Sequence, residues 1–152
     1  MNEKKLQKQL WSKYQNHKYR VINTKLFKTN EIVDFLSVLH SGYCQEIEVK
    51  ISKGDFKADF KKPKHKLIRS KPSGWDRKVA NRFYYAVPKG LLTIKDVPSY
   101  AGLIYVDRNS VVVVKKAPLL HKVKFDFRKI LFNKVYYYYE RQIAQKLYEI
   151  IW

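Results

Sequence analysis

Three side chains have the types and the placement for metal-assisted attack on a phosphodiester: Asp34, Glu48 and Lys50. Residues 45–51 (QEIEVKI) alternate, with Ile47, Val49 and Ile51 on one side and Glu46, Glu48 and Lys50 on the other, the pattern of a strand with one buried face. Asp34 falls between Val33 and Phe35 in an apolar run, where a carboxylate is costly unless it is paired or bound to a cation. Two carboxylates from neighbouring strands, with the main-chain carbonyl of Val49, make a hard-oxygen set suited to Mg²⁺ or Mn²⁺. Such an ion polarises a phosphodiester and acidifies a bound water. Lys50, two residues after Glu48 on the same face, is placed to hold or deprotonate the attacking water and to offset developing charge. The spacing alone also fits a solvated strand face with cross-strand ion pairs, since about one E-x-K triplet is expected by chance in so Lys-rich a chain.

The charge distribution favours the first reading. The chain of 152 residues carries 32 basic and 13 acidic side chains, a net +19. Residues 29–51 sum to −3, with Glu31, Asp34, Glu46 and Glu48 against Lys50, which leaves +22 on the other 129 residues. A basic protein of this kind attracts a polyanion, most simply DNA. An acidic island within it points to a cation site facing that polyanion. Lys53, Lys57, Lys61, Lys62, Lys64, Lys66 and Arg69 follow the site directly and are expected to form a phosphate-contacting ridge. Ser52 and Asp55 are explained as a helix cap, and Asp59 as a partner of Lys62 on a helix surface.

The single cysteine, Cys44, excludes a disulfide framework and any multi-cysteine zinc site, and reads as a packed thiol. His17, His40, His65 and His121 show no metal spacing, and the five glycines form no phosphate-binding loop. No run reaches transmembrane length and the N-terminus lacks an apolar signal core, so a reducing, cytoplasmic-type compartment and no membrane partner are expected.

The elements that must position the site follow from periodicity. Residues 3–14 predict a helix, with Leu6, Leu10, Trp11 and Tyr14 on one face. Residues 19–27, 31–39 and 43–51 predict three strands joined by turns at Thr29-Asn30 and His40-Ser41-Gly42, an antiparallel meander. A helix is expected over 53–62, with Phe56 and Phe60 as its apolar stripe and Pro63 as its stop. Residues 64–78 read as a basic loop. Strands follow at 81–87, 103–106 and 111–115, the VVVV run of the last being expected to be buried on both faces. Asp126 caps a long final helix, with Phe125 and Ile130 as a hydrophobic staple. Its stripe of Phe127, Ile130, Leu131, Val135, Tyr138, Ile143, Leu147, Ile150 and Ile151 reads as core. The sharper alternative for the YYYY run at 136–139 is a platform for bases or a dimer partner. The sequence gives no sign of a second domain, so residues 1–152 are taken as one.

These segments resemble the PD-(D/E)XK nuclease superfamily, and within it the MmcB-like DNA repair proteins and their phage-borne relatives. The matching blocks are Glu31-Ile-Val-Asp34, Glu46-Ile-Glu-Val-Lys50 with its continuation to Phe60, Asn81–Pro88 and Val97–Val106. The resemblance implies an α+β fold of the restriction-endonuclease type, with an αβββαβ core and a mixed sheet flanked by helices. It implies Mg²⁺-dependent hydrolysis of DNA, with Asp34 and Glu48 as the acidic pair and Lys50 as the motif lysine. Val33 stands where the motif has its proline. The first-helix glutamate that often assists the metal has only Glu3 as a candidate. A homodimer and association with a phage particle are further expectations, and a non-catalytic nucleic-acid binder or virion protein is the alternative.

Overall fold

The computed structural model describes residues 1–27, 29 and 31–151. Asn30 of the expected turn and the side chains of Ile130 and Ile151 lie outside the described residues, so the proposed staple is not described. The described chain is α+β, with elements in the order α1 (Glu3–Lys13), β1 (Tyr19–Thr24), β2 (Val33–Val38), β3 (Cys44–Val49), α2 (Lys53–Asp59), α3 (Pro63–Ser70), β4 (Arg82–Pro88), β5 (Ala101–Val106), β6 (Val111–Lys115) and α4 (Arg128–Ile151). The six strands form one mixed sheet in sequence order. The first three are the antiparallel meander expected from their short turns. The β3–β4 and β4–β5 pairs are parallel, and β6 closes the edge antiparallel.

Alternation along the strands sends odd-numbered residues of β2 and β3 to one face. There Leu6, Leu10 and Tyr14 of α1 pack on Phe35, Ile47 and Val49, with Tyr84, Ala86 and Ile104 from the neighbouring strands. Leu6 and Leu10 are fully buried and contribute roughly 1.5–3 kcal/mol each. The opposite face carries two clusters. Phe56 of α2 packs on Phe83, Tyr85, Val87 and Leu103, while Leu36, Val38 and Cys44 meet Phe127 at the start of α4. Asp34, Glu46 and Glu48 belong to this second face, between those clusters.

Two expectations fail here for identifiable reasons. Residues 64–78 are not a loop: α3 begins at Pro63, and a 3₁₀ turn follows over Trp75–Arg77. Pro63 ends one helix and opens the next, because a proline at the first helical position loses no hydrogen bond. Its buried stripe is Lys64, His65 and Ile68, which does not read as apolar. The valines of β6 are not buried on both faces, since Val112 and Val113 are exposed on an edge strand.

The final helix also departs from expectation. Asp126 Oδ1 accepts the Arg128 main-chain N–H at 3.0 Å, as a cap should. Beyond Leu131, however, every described side chain through Ile150 is exposed. At about 100° per residue the expected stripe does not keep one face, since Val135 and Tyr138 are turned about 120° from Ile143, Leu147 and Ile150, and no other part of the described chain buries any of the five.

Candidate active site

The β2–β3 register pairs Phe35 with Ile47 and Leu36 with Glu46, so Asp34 falls opposite Glu48 one step along. The β3–β4 register sets Tyr85 beside Glu48. Asp34, Glu48 and Tyr85 therefore form one row across three strands. The carboxyl groups of Asp34 and Glu48 lie within hydrogen-bonding reach of each other. Asp34 Oδ2 accepts the Val49 main-chain N–H at 2.9 Å, which orients it toward this row. Its own carbonyl accepts Gln7 Nε2 from α1 at 3.0 Å. Gln7, buried one turn after the exposed Glu3, is thus a polar first-helix residue that hydrogen-bonds the backbone of Asp34 itself.

Lys50 Nζ lies 3.2 Å from Glu48 Oε2 and 2.9 Å from Asp59 Oδ1. Helices α2 and α3, joined at Phe60–Lys62, fold a second set of charges onto the same row. Lys62 Nζ bridges Glu48 Oε2 at 3.0 Å and Asp59 Oδ1 at 2.9 Å. Lys64 Nζ bridges Glu46 and Glu48 Oε1. The other Asp59 oxygen, Oδ2, is held by His65 Nε2 and by the Tyr85 hydroxyl, each at 2.8 Å. His65 Nδ1 continues to the Tyr100 hydroxyl at 2.7 Å. Sequence reasoning missed this constellation, because Asp59 and Lys64 read as surface charges. The one signal was Pro63, which fits the start of a second helix as well as the end of the first.

These contacts revise the expected ridge. Lys53, Lys57, Lys61, Lys66 and Arg69 are exposed and remain free to meet a phosphate backbone. Lys64 does not belong with them: its side chain is only 3% exposed and is committed to two buried carboxylates. Lys62, with a side chain 33% exposed, stands at the boundary. Asp59 is likewise no surface residue, with a fully buried side chain. A groove of about 790 Å³ lies along α3, lined by Glu31, Lys66, Leu67, Pro72 and Lys78 and by none of the site carboxylates or Lys50.

The electrostatics separate the two acids. Burial alone would raise the Glu48 carboxyl, but Lys64, Lys62 and Lys50 hold it down at about 2. Asp34 goes the other way, pushed up to about 7 by burial and by the neighbouring Glu48 charge. Among the described residues no lysine or arginine lies within ion-pair distance of Asp34. Burial would lower Lys50, yet Glu48 and Asp59 outweigh it and keep its ammonium charged. Lys50 is accordingly a fixed positive charge and donor, and the deprotonating role considered for it is disfavoured.

An acid that holds its proton more tightly when folded stabilises the fold below its unfolded pKa and loses that contribution as pH rises to its folded value. The stability of the metal-free protein is therefore expected to fall, relative to Asp34→Asn, between pH 3.8 and about 7, and then to level off. Urea midpoints of both proteins across that range check this; a constant difference would contradict the assignment.

Two carboxylates that repel each other, Glu48 buried and Asp34 only partly exposed, suit a hard divalent cation better than they suit each other. Glu48 offers about four acceptor directions, and lysines take three, two on Oε2 and one on Oε1, which leaves one on Oε1. The residues present thus fit one ion bound by Asp34 and Glu48, with water completing the shell; of Val49, it is the main-chain N–H that meets Asp34 Oδ2. Among the described residues no group of three or more His, Cys, Asp or Glu side chains is arranged to hold a metal.

No family model matches the chain, and no curated protein matches it. A solved structure from Silicibacter pomeroyi, the SPO1766 protein of unknown function, is similar in fold. Its TM-score is 0.66 at 22% identity, over 94% of this chain and 89% of that one. At that identity the likeness concerns the fold alone. The molecule is an α+β protein with a six-stranded mixed sheet, four α-helices among the described residues and a buried acid–lysine cluster on one face.

Proposed function

We propose that this protein is a Mg²⁺- or Mn²⁺-dependent DNA nuclease of the PD-(D/E)XK type, working in DNA repair, recombination or phage DNA processing. The observation that carries the reading is the convergence of Asp34 and Glu48, distant in sequence, beside the fixed Lys50 ammonium. A divalent ion held by Asp34 and Glu48 would supply Lewis-acid polarisation of the phosphodiester and an acidified water. Lys50 stabilises the negative charge that grows on the phosphoryl oxygens, and Asp59 fixes its position. His65 and Tyr85 in turn hold Asp59 in one orientation. Lys53, Lys57, Lys61, Lys66 and Arg69 align the backbone through phosphate contacts that carry no base information.

A second reading rests on one observation. Lysines occupy three of the acceptor directions of Glu48, which suits a non-catalytic, virion-associated or DNA-binding protein that keeps the fold. Nicking of supercoiled, branched and single-stranded DNA, with and without Mg²⁺, separates the two. Lys50→Met is expected to lose at least ~10²-fold in cleavage rate while keeping its DNA affinity. Equal binding with no cutting by either protein would establish the binder instead.

A further inference from the structure

We propose that α4 pairs with α4 of a second copy of this chain, antiparallel about a two-fold axis. The inference does not depend on the nuclease reading. At about 100° per residue, Phe132, Tyr136, Tyr139, Ile143, Leu147 and Ile150 fall within an arc of about 80° on this helix. Their exposures run from 44% for Ile143 to 80% for Ile150. Lys134 and Arg141 project from the opposite side, Lys129 stands at the first turn of the seam, and Glu140 and Lys146 flank it, so from Phe132 to Ile150 the arc itself is apolar with a charged border. Phe132 and Tyr136 already stack along the seam with ring centroids 6.4 Å apart. Tyr136, Tyr139, Ile143, Ala144 and Leu147, with Glu140 at the flank, line a shallow groove of the kind that accepts side chains from a facing helix.

A helix with such a seam is not self-supporting in water, since most helical stability comes from packing the apolar face. Area and charge together select the occupant. The six seam residues offer roughly 100 Å² apiece, and with their flanks they approach the ~800 Å² per partner of a standard interface. A closed two-fold contact uses the same patch twice and leaves no seam uncovered. Residues outside α4 carry +16 of the net charge. Antiparallel pairing sets these two cationic bodies at opposite ends of a helix about 36 Å long, several screening lengths apart. Parallel pairing would set them side by side.

Light scattering coupled to size exclusion tests this on the full chain. The expected mass is twice 18.2 kDa. Ile143→Glu, in the seam, is expected to give a monomer with reduced helicity, while Arg141→Glu, on the back, stays dimeric. A spin label at Asn133→Cys, with Cys44 buried and unreactive, is expected to give an inter-copy distance on the order of 25 Å. A monomeric wild type at about 100 μM, a dimer indifferent to Ile143→Glu, or a label distance under about 15 Å would each overturn the proposal. A monomer whose α4 gains protection only with single-stranded DNA would make the tyrosines a base platform instead.

Discussion

Replacing Lys64 by methionine is expected to cost the fold about 3–5 kcal/mol, enough to leave much of the protein unfolded under mild conditions. Methionine keeps most of the side-chain volume, so packing is nearly conserved and the change isolates the charge. Lys64 Nζ is the cation shared by Glu46 and Glu48, and all three side chains are at most 5% exposed. Its removal leaves two carboxylates, two residues apart on one strand face, without their common partner. Glu46 is the more vulnerable, because burial already pushes its pKa upward against the pull of Lys64. A lysine on a solvated ridge would instead change stability by less than ~0.5 kcal/mol and weaken DNA binding. Urea unfolding distinguishes these outcomes. The double variant Lys64→Met/Glu46→Gln should recover a large part of the loss, which a thermodynamic cycle measures as coupling between the pair. A cost below about 1 kcal/mol for Lys64→Met would show that the buried ion cluster does not hold the fold.

Asp34→Asn is expected to separate activity from stability in opposite directions. Its amide carries no charge to repel Glu48, so the metal-free variant should be more stable than wild type at neutral pH. The same change removes one of two carboxylates from the cation site. Cleavage is therefore expected to fall by about 10³-fold or more, while DNA affinity, carried by the exposed lysines, stays within about twofold. A functional site that opposes folding is a common result when like charges are held together for a ligand. Denaturation without metal, cleavage with metal and DNA binding are measured on the same preparation. Loss of activity accompanied by loss of stability would mean that Asp34 is a structural acid.

The acidic pair was legible because strand alternation and short turns are strong local signals. Period-two alternation put Glu46, Glu48 and Lys50 on one face, and the meander brought Asp34 opposite Glu48. What alternation could not tell was that this polar face is covered. Lys64 and His65 enter the interior as partners of Glu46, Glu48 and Asp59, so the stripe that marks the buried side of α3 is ionic. A hydrophobic pattern search passes over such a stripe, and the segment read as a loop. The parallel pairing of β3 with β4 was likewise invisible to spacing, since it depends on where the α2–α3 crossover returns the chain. In α4 the expected stripe mixed two faces, with Val135 and Tyr138 turned about 120° from Ile143, Leu147 and Ile150, so the exposed row that those three form with Phe132, Tyr136 and Tyr139 was missed. The valine run of β6 erred for the opposite reason, as composition suggested depth while position placed it at an edge.

Calorimetric titration of Mn²⁺ into the metal-free protein near pH 7 is the most direct measurement of the cation site. One ion per chain is expected, bound with release of about half a proton on average near pH 7, because Asp34 there is about half-protonated and must ionise to coordinate. Asp34→Asn should show no such heat. A wild type that binds no ion at millimolar Mn²⁺, or an Asp34→Asn variant that binds as wild type does, would contradict a metal centre at Asp34 and Glu48.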